Sequence, residues 1–329
     1  MKIGIIGLGS IGRKHVYSLK KLGYSNIISL RSRKGALKDL PEDLNYIEEV
    51  YNPSDFFLNN LDGVIISNPT SLHIKSMKLP LEKKIPIFLE KPIAGSLEQT
   101  KEIERYDKSK IMVGFCLRYS EIINITKDFL DSGKLGRIYK ANLYCGQYLP
   151  SWHTYTDYKL EYYSKKNLGG GVIRTLSHEI DLMHYFFGNV KELCASIEKI
   201  SDLEIDVDDN AYIICKMYNK SLVCIELDYL NSKNDRKGII FGSEGILQYS
   251  FKKLNVRFTD LNGKVKIIYE NPYYDSNQMY IDQMNDFINL LKNKNNFWPT
   301  FKDGLNVMKV IQAAESSTKN KNWKKIKSE

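Results

Sequence analysis

The spacing of apolar residues changes partway along this chain, and the change divides it. Near the start, Ile3, Ile5 and Ile6 form a short run that reads as a buried strand, and Ile11, Val16, Leu19 and Leu22 then recur at helical spacing up to Gly23. Residues 26–30, 62–67, 85–89 and 111–115 are further apolar strands with helical stretches between them. Such alternation predicts an α/β domain on an open parallel sheet. After a helix carrying Ile122, Ile125, Phe129 and Leu130, which ends near Gly133, the pattern becomes one of strands alone. Residues 136–146, 190–199, 211–218, 222–230, 238–242, 246–249 and 265–269 are the strands, and turn residues such as Tyr218-Asn219-Lys220 and Asn262-Gly263 separate several of them. This predicts an open, mostly antiparallel sheet in an α+β domain. The expected division is residues 1–120 and 121–329. Residues 279–291 and 305–317 read as amphipathic helices, the last packing back on the first domain, and the polar, basic tail beyond them reads as frayed.

Inside the second half, residues 168–188 open with the triplet Gly169-Gly170-Gly171, which is expected to leave room for a bulky planar ligand. The helix predicted after it has a dry face of Leu176, Ile180, Met183 and Phe187. Its wet face carries Arg174 or Thr175, then His178, Asp181 and Tyr185. An imidazole beside a carboxylate on a rigid element is a candidate acid/base device, and local pairing and capping explain the same two residues.

The sharpest motif is Gly7-Leu8-Gly9-Ser10-Ile11-Gly12, placed between a strand and a helix. There Gly7 permits the tight turn, Gly9 lets a pyrophosphate approach the backbone, and Gly12 allows close helix packing; the helix N-terminus offers free N–H groups. Where the second strand ends, an NAD site usually presents an acidic residue to the ribose. Here Arg31-Ser32-Arg33-Lys34 stand instead, and they suit a 2'-phosphate, so NADP(H) is expected over NAD(H). Polar residues at later strand ends, Asn68, Pro69, His73, Glu90, Lys91 and Arg118, are candidate walls of the ligand cleft. Lys91, held before Pro92, is either a donor to a substrate hydroxyl or carbonyl or a loop lysine paired with Glu90. The aromatic loop 147–155, with Trp152, and the following Tyr158, Tyr162 and Tyr163 suit stacking on a sugar or base, or interdomain packing.

Composition adds limits. The apolar share of 43% and charged share of 26% belong to a globular protein, and no apolar run approaches a membrane span, so a cytoplasmic location is expected. Five scattered cysteines without CxxC spacing argue against a disulfide framework and a zinc site. The net charge of +9 comes from dispersed lysines with one cluster in the tail, and no aromatic-and-basic nucleic-acid motif accompanies it.

In this order the motifs resemble the Gfo/Idh/MocA family (glucose-fructose oxidoreductase, inositol dehydrogenase, rhizopine catabolism) over almost the whole chain. The resemblance rests on the glycines at 7 to 12, the NPTSLH stretch ending at His73, Glu90-Lys91-Pro92, Arg118, and the triplet at 169 to 171 followed by His178-Glu179-Ile180-Asp181. It implies a Rossmann domain, an open-faced sheet that joins subunits into dimers or tetramers, and hydride transfer at a sugar carbinol. It also implies that Lys91 orients the hydroxyl, that His178 exchanges its proton, and that a cis bond precedes Pro92. Family members carry an aspartate three or four residues before the histidine, where this chain has Thr175 and Arg174. Arg118, Trp152, Arg174, Thr175 and Asp181 are the expected substrate contacts, with no metal. The motif set looks most like members associated with surface-polysaccharide and nonulosonic-acid genes, which points to an amino sugar or nucleotide-linked sugar. The missing carboxylate leaves a second reading, a cofactor-binding sensor or partner subunit with little turnover.

Overall fold

The computed structural model describes residues 1–33, 37, 39–153, 156–294 and 299–326. Lys34 of the basic turn, Thr154 and Tyr155 of the aromatic loop, and Lys327 in the tail lie outside the described residues. Among the described residues, β1 (Ile3–Ile6), β2 (Ile27–Leu30), β3 (Glu48–Val50), β4 (Gly63–Ile66), β5 (Ile87–Leu89) and β6 (Ile111–Val113) form one parallel sheet in the order β3-β2-β1-β4-β5-β6. Strand order reverses between β1 and β4, and at such a switch point the strand ends open a crevice.

Alternating side chains serve the two faces. Ile3, Ile5, Ile65, Phe88 and Met112 pack with α1 (Ser10–Lys21), while Ile6, Ile28, Val64, Ile66, Ile87 and Leu89 share a core with Phe56 of α2 (Pro53–Leu58) and Ile74 and Met77 of α3 (His73–Glu82). Burial on both faces explains why these strands read as unbroken apolar runs. By contrast β3, Glu-Glu-Val, has no apolar signature and escapes sequence reading.

A short helical turn and α4 (Glu121–Asp131) lead to β7 (Ile138–Gly146), and the glycine triplet is followed by α5 (Val172–Thr175) and α6 (His178–Phe187). The second sheet continues with β8 (Val190–Glu198), β9 (Asn210–Met217), β10 (Leu222–Asp228), β11 (Asp235–Gly242), β12 (Gly245–Ser250), β13 (Asn255–Asp260) and β14 (Val265–Glu270). Helices α7 (Gln278–Leu291) and α8 (Phe301–Asn320) and the short β15 (Lys324–Lys325) complete the chain. The order is β14-β13-β12-β11-β7-β10-β9-β8-β15, and its pairs are antiparallel except β7 with β10. The expected sheet class is therefore present; β13, Asn-Val-Arg-Phe-Thr-Asp, was too polar to be anticipated.

One expectation about the C-terminus is extended and one is corrected. Both last helices join the first domain: Met284, Phe287, Ile288 and Leu290 of α7 pack among Ile3, Val16, Leu19 and Ile65, while Phe301, Val307 and Met308 of α8 share a core with Ile93 and Val113. Helix α8 touches the first sheet near its start, where Val113 N donates to Pro299 O (2.7 Å) and Gly304 abuts Ile93, and then runs along β8. Its N-terminus carries a Thr300–Asp303 capping box, which accounts for the abrupt start. The tail is not frayed over residues 318–326, since Lys324 and Lys325 pair with Leu193 and Glu192 of β8. No helix among the described residues is long and apolar enough to cross a membrane.

Candidate active site

At the end of β1 the three glycines have different physical reasons. Gly7 has φ of +94° and a side chain there would run into the Asn68 backbone at 2.6 Å. A Cβ on Gly12 would sit 2.3 Å from Gly7 O, so α1 packs directly on the turn. A Cβ on Gly9 meets nothing within 4 Å: the backbone there faces open space. Gly9 is the N-cap of α1, no side chain caps it, and the first turn holds no acidic residue; Gly9 and Ser10 are exposed, while Ile11 is half-buried. Open space, uncapped N–H groups and the positive end of a helix fit the pyrophosphate of a dinucleotide.

The basic turn departs from expectation. Arg31 is 5% exposed; its guanidinium pairs with Glu49 of β3 and donates to Leu37 O (2.6 Å). Arg33, with φ of 53°, is exposed, bonds Glu49 Oε2 at 3.1 Å and lies over the Tyr51 ring. Arg31 is thus committed inward, because a carboxylate invisible in the local sequence neutralises it. Despite partial burial, which acts the other way, the bonds from Arg31, Tyr51 and Arg33 hold the Glu49 carboxyl below its usual range.

Several residues expected to wall the cleft make bonds that hold its loops in place. His73 is buried, with Nδ1 2.9 Å from Pro92 O and Nε2 2.9 Å from Asn68 O, so it ties the loops after β4 and β5 together. Glu90 is buried too; Oε1 lies 2.7 Å from His15 Nε2 on α1 and Oε2 accepts from Lys91 N (3.1 Å). Asn68 donates to Ser76 Oγ (2.8 Å) while its Oδ1 has no partner, and Pro69 precedes the turn at Thr70. The Lys91–Pro92 peptide is cis.

Beyond this framework, Lys91 Nζ donates to the backbone carbonyl of Thr175 at 2.6 Å. A peptide oxygen from a position where relatives are expected to carry the aspartate therefore holds the ammonium. His178 is the first residue of α6 and 8% exposed; its Nε2 lies 3.8 Å from Cys116 Sγ and its Nδ1 has no partner. Burial, then Lys91, then Arg236 push the imidazole well below its ordinary pKa, so it is neutral at pH 7. Burial lowers Lys91 as well.

The long amphipathic helix expected after the triplet is broken at Leu176 and Ser177, and it has no wet face. Glu179 and Asp181 are buried at 0% and 1% exposure because distant cations meet them: Arg236 Nε bonds Glu179 Oε1 (2.6 Å), and Arg118 grips Asp181 through two bonds of 2.9 and 2.6 Å. Arg118 also bonds Asp303 (3.0 Å). Desolvation raises the Asp181 carboxyl to about 6 against the pull of Arg118. Arg118 and Asp181 therefore lock α6 to the start of α8. Arg174 also faces elsewhere: Nε donates to Gly95 O (3.2 Å) and the head pairs with Glu315, in a groove of about 750 Å³ that Lys91 and His178 do not line. Thr175 contributes its carbonyl.

Gly169 and Gly170 of the triplet line that same groove, rather than the space beside Lys91 and His178. Cβ atoms on the three glycines would meet Thr70 at 3.0 Å, Tyr162 O at 2.5 Å and Asp208 Oδ1 at 2.4 Å, so close packing also requires them. Trp152 stacks edge-on against Tyr163 (5.0 Å) and Tyr229 (5.4 Å), and its buried Nε1 has no partner. His15, Glu49, Cys116, Tyr229 and Arg236 were missed. His15 alone left a signal, a polar residue on the apolar face of α1.

This is a dinucleotide-type crevice with a lysine and a neutral histidine beside it. Residues 1–115 match the oxidoreductase family model for the NAD-binding Rossmann fold, and residues 124–248 match the GFO/IDH/MocA C-terminal domain. The chain belongs to the Gfo/Idh/MocA oxidoreductases. It is 24% identical to myo-inositol 2-dehydrogenase of Thermotoga maritima over 99% of this chain and 98% of that one, and 24% identical to glucose-6-phosphate 3-dehydrogenase of Bacillus subtilis over 68% and 66%. Among solved structures, levoglucosan dehydrogenase in complex with NADH and levoglucosan superposes with a TM-score of 0.85 at 18% identity over 100% of both chains. An Agrobacterium radiobacter oxidoreductase in complex with NAD+, L-tartaric acid and magnesium gives 0.82 at 18% over 99% and 98%.

Proposed function

We propose that this chain is a nicotinamide-dependent oxidoreductase that interconverts a secondary alcohol and a ketone on a sugar or cyclic polyol. The single observation that carries the reading is Lys91 Nζ, fixed at 2.6 Å on Thr175 O beside an imidazole whose Nδ1 is unpartnered. When bound, the dinucleotide accepts or supplies the hydride. His178, neutral, takes the hydroxyl proton at Nδ1 during oxidation and returns it during reduction. Lys91 has donors beyond the one given to Thr175 and stabilises negative charge as it develops on the oxygen. Trp152 packs edge-on against the buried Tyr163 and Tyr229, a rigid aromatic support behind the site. The names of the similar proteins, inositol, glucose-6-phosphate and levoglucosan dehydrogenases, support a cyclic polyol or sugar.

We extend this to an amino sugar or nucleotide-linked sugar of surface-glycan metabolism, a reading supported by the motif set alone. For the cofactor, Gly7, Gly9, Ser10, Ile11 and Gly12 would hold the pyrophosphate; NAD(H) suits the neutralised Arg31, and NADP(H) is admitted through Arg33 and Ser32. The sensor alternative rested on the missing carboxylate, and the Thr175 carbonyl weakens it by giving Lys91 another anchor. Self-association through the open face of the second sheet is supported by Tyr139, Tyr212, Ile214 and Leu222, all exposed there.

Fluorescence titration with NADH and NADPH, followed by a panel of inositols, free sugars, amino sugars and nucleotide sugars, tests the reading. Turnover with at least one member is expected, and His178→Ala and Lys91→Ala should each lose about a hundredfold or more in kcat while still binding dinucleotide. Wild-type rates in both variants would remove the assignment.

A further inference from the structure

Three side chains converge on one carboxylate at the edge of the first sheet. Glu49 lies opposite Ser29 in the parallel pair β2–β3, and Arg31 N donates to Val50 O (2.9 Å), so β3 pins the turn that follows β2. Arg31 and Arg33 both pair with Glu49, and Tyr51 OH donates to its Oε2 at 2.8 Å. The Arg33 guanidinium lies 4.9 Å from the centre of the Tyr51 ring, and its side chain is 54% exposed.

We infer that Glu49 sets the dinucleotide preference of the site: it cancels one of two guanidinium charges and holds Arg31 inside, leaving Arg33 as the exposed cation of the pair. The inference rests on the dinucleotide site of the proposed function. Its physical basis is a charge count at the place where a parallel sheet receives the adenosine ribose, beyond the end of β2. A ribose hydroxyl brings no charge. A 2'-phosphate brings nearly two negative charges at neutral pH, and the same carboxylate that orders the arginines opposes it. Glu49 sits within hydrogen-bonding reach of both guanidinium groups, so its charge is felt with little screening, whereas the exposed Arg33 acts on an incoming phosphate through partly screened contacts.

The experiment measures dissociation constants of NADPH and NADH, by fluorescence, for the full-length wild type, Glu49→Gln and Arg33→Gln. Glutamine keeps the size of the side chain and removes its charge, so Glu49→Gln should shift the NADPH-to-NADH affinity ratio toward NADPH by about tenfold. Arg33→Gln should shift it the other way by a similar factor, because an exposed arginine is lost without disturbing the core. NADPH binding to Glu49→Gln should also weaken more steeply with added salt than NADH binding. A ratio that stays within about twofold of wild type in Glu49→Gln overturns the inference. So does a selective loss of NADH affinity, which would make Glu49 an acceptor for the ribose hydroxyl rather than a counter-ion. If wild type binds neither dinucleotide, the proposed function itself fails, a result distinct from either of these. Should Glu49→Gln not fold, an unchanged ratio in Arg33→Gln overturns the inference independently.

Discussion

Three histidines are kept neutral by burial: His178 well below its ordinary pKa, His73 lowered, and His184 pushed down to about 4. Each has a folded-state pKa below its unfolded value near 6.5, which fixes the sign of its effect. Above that pH both states are neutral and nothing changes. As pH falls below it, the unfolded chain takes up protons that the folded chain refuses, so stability declines until the folded-state pKa is reached. Each such histidine should steepen the decline by about 1.4 kcal/mol per pH unit. Urea melts of wild type and His178→Gln between pH 7 and 4.5 should show the variant losing less stability, by up to one proton's slope. Parallel curves would mean that His178 titrates normally. The same depression predicts that activity requiring a neutral imidazole persists below pH 6.5. His178 as a candidate was legible in the chain, but its state was not, because burial together with Lys91 and Arg236 produces it, and these residues stand 87 and 58 positions away along the chain and meet His178 only through the fold.

Among the elements, the glycine turn before α1 separates a packing role from a binding role. Gly12→Ala places a methyl group 2.3 Å from Gly7 O and should cost about 1–3 kcal/mol in stability, seen as a lower melting temperature. Gly9→Ala meets nothing within 4 Å and should fold normally while weakening dinucleotide binding. Equal loss of stability in both would erase the distinction. The strand, turn and helix around these glycines were readable because a buried parallel strand is a continuous apolar run. Helix α6 was read less well. A row of His178, Asp181 and Tyr185 looks like a solvated face until cations from other elements arrive, and Arg118 and Arg236 are those cations. The triplet was legible only in part, since a glycine that borders an open groove and one that admits a carbonyl leave the same letter in the chain.

At the level of the whole molecule, Arg118 joins the turn after β6, helix α6 and the capping box of α8 through Asp181 and Asp303. Arg118→Met would leave a buried carboxylate without its partner and should cost about 3–5 kcal/mol in unfolding free energy. Arg118→Met combined with Asp181→Leu should recover much of that loss, because removing both charges relieves the desolvation penalty. A double variant no better than the single one would show that the pair does more than neutralise itself.

The amino-acid sequence by itself determined the parallel dinucleotide sheet, the largely antiparallel second sheet, the placement of the glycine turn and the candidacy of Lys91 and His178. These are written in local periodicity and in turn residues, which act over a few positions. Only the tertiary structure decided that Arg31 faces Glu49, that Arg118 serves Asp181, that α7 as well as α8 packs on the first domain, and that Thr175 holds Lys91 by its peptide oxygen. Those outcomes depend on which charges and backbone groups from distant segments are buried together, and a buried charge takes the partner that the fold brings to it.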